Sequence, residues 1–247
     1  DTLVLGRSQK TTGAGSLGVL TFTSGTFDVN TLQAGFQTQS DATNGGVGRV
    51  NISGPGATLT VNSLLELGHT SGGLGTNLTF GVLTINSAAV FANTISAGPG
   101  SGPNAIHANN SSLTVNNAIG SPGSPISLIA LTNSTLQLSV AANITNVVAT
   151  SLVTGGSSNA LLIASLPAIG SYPAQIPIIK YSGAIGGAGF NFVLGDLPPD
   201  AGCGGYLLHQ PGAGFVGFLL KNFIAPGPVF SLGRPPRRGL GGGSAEL

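Results

Sequence analysis

Charged side chains are scarce in this sequence. Asp, Glu, Lys and Arg together make up 6% of its 247 residues, whereas they make up about 25% of an ordinary globular domain. The net charge at pH 7 is +1, and a nucleic-acid interface needs a clustered basic face, so the composition excludes an extended DNA- or RNA-binding surface. The one basic cluster, Arg234, Arg237 and Arg238, lies in a Pro- and Gly-rich segment. It is either a contact for anionic sugar or lipid or part of a solvated tail.

Trp and Met are absent, and Cys203 is the one cysteine. A single thiol excludes an internal disulfide, so Cys203 is either a small buried apolar residue or the site of an intermolecular bridge. No apolar run reaches the length of about 18 residues that a membrane-spanning helix needs. The numbered sequence opens without a basic segment followed by an apolar core. From the composition we expect a secreted or cell-surface protein whose numbering starts after a cleaved leader.

Glycine and apolar residues are plentiful. There are 41 glycines, and apolar residues make up 41% of the chain. Disorder requires low hydrophobicity together with high net charge, and neither condition holds here. The chain is therefore expected to fold, with Ser, Thr, Asn, Gln and Gly supplying most of the wettable surface.

A four-residue pattern of apolar, polar, β-branched and Asn residues recurs in the first half of the chain. The matching segments are 27–30, 59–62, 83–86 and 113–116, and a fifth at 136–139 has Ser in place of Asn. They are spaced about 23 to 32 residues apart, a period typical of solenoid repeats. Each repeat is therefore predicted to be one coil that stacks on the next.

Short alternating segments such as 20–23 and 49–53 predict strands. Gly or Pro-Gly follows them where a coil has to bend. Each coil is predicted to hold two or three strands with an Asn near one corner. These Asn side chains are expected either to form a ladder, each amide bonding the next coil, or to be ordinary corner residues. The corner residues are Asn30, Asn62, Asn86 and Asn116.

The repeat and the composition divide the chain into three regions. Residues 1–150 are predicted to be solenoid repeats. In 151–224 the repeat weakens while apolar strands continue, and the aromatic residues that concentrate there suit terminal coils and a cap. Residues 225–247 are rich in Pro, Gly and Arg without periodicity, which predicts an extended tail. The predicted fold class is all-β, a β-solenoid with a C-terminal β-rich capping region and an extended tail.

Several segments resemble a known family. They are Gly-Val-Leu-Thr-Phe at 18–22, Gly-Thr-Phe-Asp-Val at 25–29, Leu-Thr-Val-Asn at 59–62 and a closing segment across 166–190. These segments resemble bacterial autotransporter passengers, especially the secreted proteins built from autotransporter-associated β-strand repeats. The resemblance implies a right-handed parallel β-helix with an extracellular structural or adhesive role. The chain departs from the family because no translocating barrel follows and the segment after Asn222 differs from the usual ending, so self-export and surface anchoring are not implied.

Residues that could carry chemistry are few and scattered. Asp28 and Glu66 lie in the repeats at positions that the motif alignment does not make equivalent, whereas glycoside hydrolysis needs two facing carboxyl groups. His69, His107 and His209 have no His or Cys neighbour at a metal-ligand spacing. We therefore predict no enzyme activity, no cofactor and no metal site.

Six Asn-x-Ser/Thr triplets are candidate acceptors for N-glycosylation, although such triplets arise readily by chance in a chain rich in Asn, Ser and Thr. The acceptor residues are Asn51, Asn77, Asn109, Asn110, Asn133 and Asn143.

The predicted function is that of an extracellular structural protein that self-assembles head to tail into a filament or surface matrix. The partner is then another copy of the chain, with the 1–6 strand or the tail after Ala225 as the segments expected to pair with a neighbour. The alternative is a surface adhesin or carbohydrate-binding domain with glycan partners. A polysaccharide lyase or hydrolase is a third reading that the carboxylates disfavour, and neither a nucleic-acid partner nor a membrane span is predicted.

Overall fold

The computed structural model describes residues 1–9, 15–38, 45–71, 79–100, 102–141, 144–198 and 203–222. Nearly all regular structure in these residues is β-strand, with one short 3-10 turn at Pro211–Ala213. The predicted all-β class is confirmed.

The strands form two sheets. Sheet 1 contains, in spatial order, β1 (Thr2–Ser8), β3 (Gly25–Gln37), β5 (Ala57–Thr70), β7 (Ala89–Ala97), β9 (Ser112–Val115), β11 (Thr135–Ser139), β13 (Asn159–Ser165) and β16 (Phe192–Leu194). Sheet 2 contains β2 (Ser16–Phe22), β4 (Gly46–Ser53), β6 (Phe80–Asn86), β8 (Ala105–Asn109), β10 (Ile126–Thr132), β12 (Val147–Gly155), β14 (Ala174–Lys180), β18 (Phe215–Asn222) and β17 (Cys203–Gln210). The two-residue strand β15 (Gly186–Gly187) pairs with β12.

Consecutive strands alternate between the two sheets as far as β13, and each pairs in parallel with the strand two places later. One coil is therefore one strand from each sheet, which confirms the predicted β-solenoid. In the middle of the chain, hydrogen-bonded residues of neighbouring coils are 23 apart. In the first coils they are 30 to 34 apart. The sheet 1 strands are longer there, since β3 and β5 have 13 and 14 residues and β9 and β11 have 4 and 5.

The strand register corrects the motif alignment. Val29, Val61, Ala92 and Val115 occupy one column of sheet 1. The segment 83–86, which matches the motif, lies instead in β6 of sheet 2. Inward apolar and outward polar residues alternate in the same way in both sheets, so the motif alone does not distinguish them.

The core lies between the sheets and is built from alternate residues of each strand. Leu59, Leu83, Ile85 and Ile106 are fully buried, and Val61 is almost so. Each such side chain contributes roughly 1.5–3 kcal/mol when it leaves water. Stacking one coil on another therefore supplies a continuous apolar interior along the solenoid axis.

One corner of every coil uses left-handed backbone. Gly54, Ser87, Asn110, Asn133 and Gly156 follow equivalent positions in successive strands of sheet 2 and have φ between 46° and 101°. Gly adopts this conformation without a steric penalty, and Asn tolerates it better than most residues. Asn and Gly thus occupy corner positions, and these positions directly follow the strands of sheet 2.

The C-terminal end carries a cap of different construction. Strand β18 pairs antiparallel with β14, and β17 pairs antiparallel with β18. The predicted boundary at residue 150 falls inside β12, and parallel coils continue as far as β16. The predicted tail, 225–247, lies outside the described residues.

Candidate functional site

The predicted corner Asn residues do not form one column. Asn30, Asn62 and Asn116 directly follow the column residues Val29, Val61 and Val115 in sheet 1, whereas Asn86 ends β6 in sheet 2. Of the two alternatives, a ladder or ordinary corner residues, a ladder through all four does not fit the register, because Asn86 lies in the other sheet. The equivalent position in that coil is Asn93, which follows Ala92.

The sheet 1 amides also do not bond one another. Asn62 Nδ2 donates a hydrogen bond to Asp28 Oδ1 at 2.7 Å. In the part of the chain that the structure describes, no side-chain hydrogen bond joins Asn30, Asn93 or Asn116 to another residue. Asn30 and Asn116 are exposed and Asn93 is partly buried, and the amides at this corner of sheet 1 do not form a ladder.

A different polar column runs inside the sheet 2 corner. Ser134 Oγ accepts a hydrogen bond from the backbone N–H of Ser111, and Asn159 Oδ1 accepts one from the N–H of Ser134. Asn159 Nδ2 in turn donates to Asn191 Oδ1 at 2.8 Å. Ser111, Ser134 and Asn159 are buried, so each bond satisfies a backbone or side-chain group that water does not reach. The sequence signal for this column is the pair of similar segments 109–113 and 132–136, which the motif search passed over.

Two of the predicted glycosylation acceptors lie on this corner. Asn110 and Asn133 are exposed and left-handed, and Asn133 Oδ1 accepts a hydrogen bond from the Ser157 N–H at 2.8 Å. Asn109 Oδ1 accepts from Asn110 Nδ2 at 3.1 Å, and Asn51 Nδ2 donates to Thr21 Oγ1 at 3.4 Å. The other two acceptors, Asn77 and Asn143, lie outside the described residues. Modification of any of the six stays a prediction.

The two carboxylates of the repeats have different surroundings. Asp28 is exposed on the outer face of sheet 1 and contacts Asn62. Glu66 is buried, accepts a hydrogen bond from Gln33 Nε2 at 2.8 Å, and lies 2.9 Å from His69 Nδ1. In the described ranges the two carboxylates do not contact each other, and no three His, Cys, Asp or Glu side chains cluster as metal ligands would.

The remaining histidines are separate from that contact. His107 lies on β8 of sheet 2. In the cap, His209 stacks on Phe190 with ring centroids 4.6 Å apart, and its Nε2 lies 2.7 Å from the Tyr181 hydroxyl. Burial lowers the pKa of His209 and raises the pKa of Tyr181, because desolvation disfavours the charged form of each. The neutral Tyr181 hydroxyl and the neutral His209 imidazole can form this hydrogen bond with each other.

The N-terminal end of the solenoid has open strand edges. Among the residues that the structure describes, β2 ends the order of sheet 2 with β4 as its one neighbour, and the first half of β3, Gly25–Val29, pairs with β5 alone. Leu20 and Phe22 on β2 and Phe27 on β3 are partly buried, whereas their column partners on the next coil, Val50, Ile52 and Leu59, are fully buried. A further layer of strands would therefore cover an apolar end face here.

The C-terminal end of sheet 2 is also an edge. Strand β17 ends the strand order, and two antiparallel steps give it the same direction as β14 and hence as β2. Val216, Phe218 and Leu220 of β18 are buried against the core. Tyr206 of β17 is exposed, with Lys221 Nζ 5.1 Å from its ring centroid. Within the described ranges, the cap thus covers the interior and leaves one edge of β17 without a partner strand.

Comparison of the chain with protein-family models, curated proteins and solved structures gave no match. Among the described residues, no helix has the length and apolar character needed to cross a bilayer.

Proposed function

We propose that this chain is an extracellular structural protomer that assembles head to tail, with sheet 2 continuing from β17 of one copy to β2 of the next. The observation that carries the proposal is that, among the described residues, β2 and β17 each have one unpaired edge, and these edges lie at opposite ends of one sheet. They run in the same direction, so a translated copy would meet β17 with a parallel strand, as in the body of the solenoid.

The composition of the two edge strands supports pairing. Neither Ser16–Phe22 nor Cys203–Gln210 contains Asp, Glu, Lys or Arg. Soluble β proteins commonly protect exposed edges with charged residues, proline or bulges, because unpaired N–H and C=O groups are a template for another chain. Exposed apolar residues on β2, Leu17 and Val19, add to this edge.

The geometry favours an open assembly. The two ends are different surfaces, so contact between them is heterologous and extends into a fibre unless a rotation closes it. Strand β1 pairs with β3 of its own chain over Thr2–Ser8, so the proposal depends on the sheet edges and not on release of the 1–6 segment. The tail, the other segment predicted to pair with a neighbour, lies outside the described residues.

The extracellular setting is part of the proposal. The low charge, the high content of Ser, Thr, Asn and Gly, and the resemblance to autotransporter-associated repeat proteins support it. A protein with few ionic groups is poorly protected against association, which suits a matrix or filament component.

Electron microscopy with light scattering of the purified chain tests the proposal. The wild-type chain is expected to form filaments of uniform width whose length grows with concentration. Val19→Lys places a charge on the outer face of the edge strand β2 and is expected to abolish them.

Val82→Lys is the matched control. Val82 lies next to Arg49 in the strand register, on the central strand β6 of the same sheet. This variant should still form filaments. A wild-type chain that remains monomeric at high concentration, or filaments unaffected by Val19→Lys, would overturn the proposal.

A further inference from the structure

The outer face of sheet 1 carries one exposed aromatic ring in a polar surrounding. Phe91 is 45% exposed, and its neighbours in the strand register are Thr60 on β5 and Thr114 on β9. An outward Phe gains little from this position, because the ring remains largely in water. Thr would satisfy the alternation equally well, as it does on both neighbouring strands.

The ring borders a shallow groove of about 100 Å³, whose lining includes Thr60, Asn62, Asn93 and Asn116. The three Asn residues lie at the same corner of successive coils. Neighbouring strands are about 4.8 Å apart, so the corner presents a planar amide at about that interval beside the ring.

The amides are available to a ligand. Asn62 is held by its hydrogen bond to Asp28, which uses one of its two N–H groups and leaves its oxygen free. The side chains of Asn93 and Asn116 have no hydrogen-bond partner in the described part of the chain. Each therefore offers two donors and an acceptor to the groove.

The charges around the groove restrict the chemistry of the ligand. None of the groove-lining residues is ionisable, and the Asp28 carboxylate accepts a hydrogen bond from Asn62. An anionic polymer would find no cation here.

We propose that this strip, formed by Phe91 with Asn62, Asn93 and Asn116, binds an uncharged linear polysaccharide. The apolar C–H face of a pyranose ring stacks on Phe91, and sugar hydroxyls exchange hydrogen bonds with the amides. The glycan chain runs across the strands, parallel to the solenoid axis, so that successive sugars meet successive coils. An extended β-1,4-linked chain fits best a row of amides that repeats from coil to coil. This site is independent of the strand edges proposed for assembly.

Isothermal titration calorimetry with cellohexaose as the neutral probe and a galacturonate hexamer as the anionic one tests the proposal. The wild-type chain is expected to bind cellohexaose and not the galacturonate hexamer. Phe91→Thr, which copies the residue type of both neighbouring strands, is expected to weaken binding at least about tenfold, a change readily resolved by this measurement. Asn116→Ala is expected to weaken it by a smaller factor.

Val19→Thr is the control, because it makes a similar exposed substitution on sheet 2. It should bind cellohexaose as the wild type does. The proposal is overturned by equal affinity in Phe91→Thr and wild type, by preference for the galacturonate hexamer, or by no detectable binding of cellohexaose at millimolar concentration. The two proposals can be distinguished, because Val19→Lys tests assembly and Phe91→Thr tests glycan binding.

Discussion

At the scale of single residues, Gly48 shows how closely sheet 2 approaches sheet 1 near the start of strands β2, β4 and β6. Gly18, Gly48 and Gly81 are equivalent residues of β2, β4 and β6. A Cβ at Gly48 would overlap the backbone nitrogen of Gly35 and backbone carbons of Ala34. Backbone therefore packs directly on backbone here, and a side chain has no room to move aside.

We expect Gly48→Ala to lower the free energy of unfolding by at least about 2 kcal/mol, because the overlap can be relieved only by separating the sheets. Gly56→Ala is the control, since a Cβ at Gly56 has no heavy atom within 4 Å. It should change stability by less than about 0.5 kcal/mol. Urea unfolding measures both, and equal effects would contradict the close approach.

His209 gives a residue-scale prediction about pH. Burial holds its pKa below the ordinary value of 6.5, so the unfolded chain takes up a proton at a higher pH than the folded chain. Its contribution to stability is therefore complete above pH 6.5 and is lost as pH falls through the lowered value. The raised pKa of Tyr181 acts in the other direction, and its contribution is lost as pH rises above 10.

We expect the wild type to lose more unfolding free energy between pH 8 and pH 5 than His209→Gln does. The variant retains every other titrating group, so the difference between the two profiles isolates the imidazole. Urea midpoints at several pH values measure it. Parallel profiles would show that His209 is protonated equally in both states.

At the scale of elements, β18 is the strand that closes the core. Val216, Phe218 and Leu220 alternate along it and are fully buried, while β17 extends the sheet beyond it. An antiparallel hairpin suits this place because it needs no crossover to the other sheet. The cap is thus an element that covers apolar surface without adding a coil.

Phe218→Ala is expected to cost about 3–5 kcal/mol, the usual range for emptying a buried aromatic site. Phe91→Ala removes an equally large but exposed ring and should cost less than about 1 kcal/mol. Thermal and urea unfolding of the two variants compare them directly. Similar losses would contradict the assignment of β18 to the core.

The elements themselves were largely predictable from the sequence, and their membership in a sheet was not. The alternation at Leu59–Val61 predicts a strand, and β5 is there. The same alternation at Leu83–Ile85 predicts a strand equally well, yet that strand is β6 of the opposite sheet. The alternation records which residues face the core, and both sheets face the same core.

Some residues of the candidate sites could likewise be recognised from the sequence, and others could not. Asn62 and Asn116 were recognisable as corner residues because they follow an apolar alternation. Asn93 was missed because its segment departs from the motif at two positions, with Phe91 in place of a polar residue and Ala92 in place of a β-branched one. The buried column of Ser111, Ser134 and Asn159 was missed because Ser and Asn at a turn are usually read as solvated.

At the scale of the whole molecule, cohesion comes from backbone pairing and an apolar interior. In the described residues the one contact of ionic type is Glu66 with His69, which is an ion pair only when the imidazole is protonated. Salt screens exposed ionic interactions strongly and hydrogen-bonded sheets hardly at all.

We therefore expect the unfolding midpoint to shift by less than about 2 °C between 0.05 M and 1 M NaCl, since few exposed ion pairs exist to be screened. Differential scanning calorimetry at neutral pH measures this. A shift of many degrees would show that ionic interactions contribute more to the fold than the described contacts do.

The sequence by itself determined that this chain builds parallel coils around an apolar core, because the period of the repeat and the alternation of residues are local properties. Only the tertiary structure decided which strands share a sheet, which polar side chains meet across coils, and that sheet 2, as far as the chain is described, ends in an unpaired edge on each side. Those properties depend on register, which is fixed by turn geometry and loop length when the coils stack.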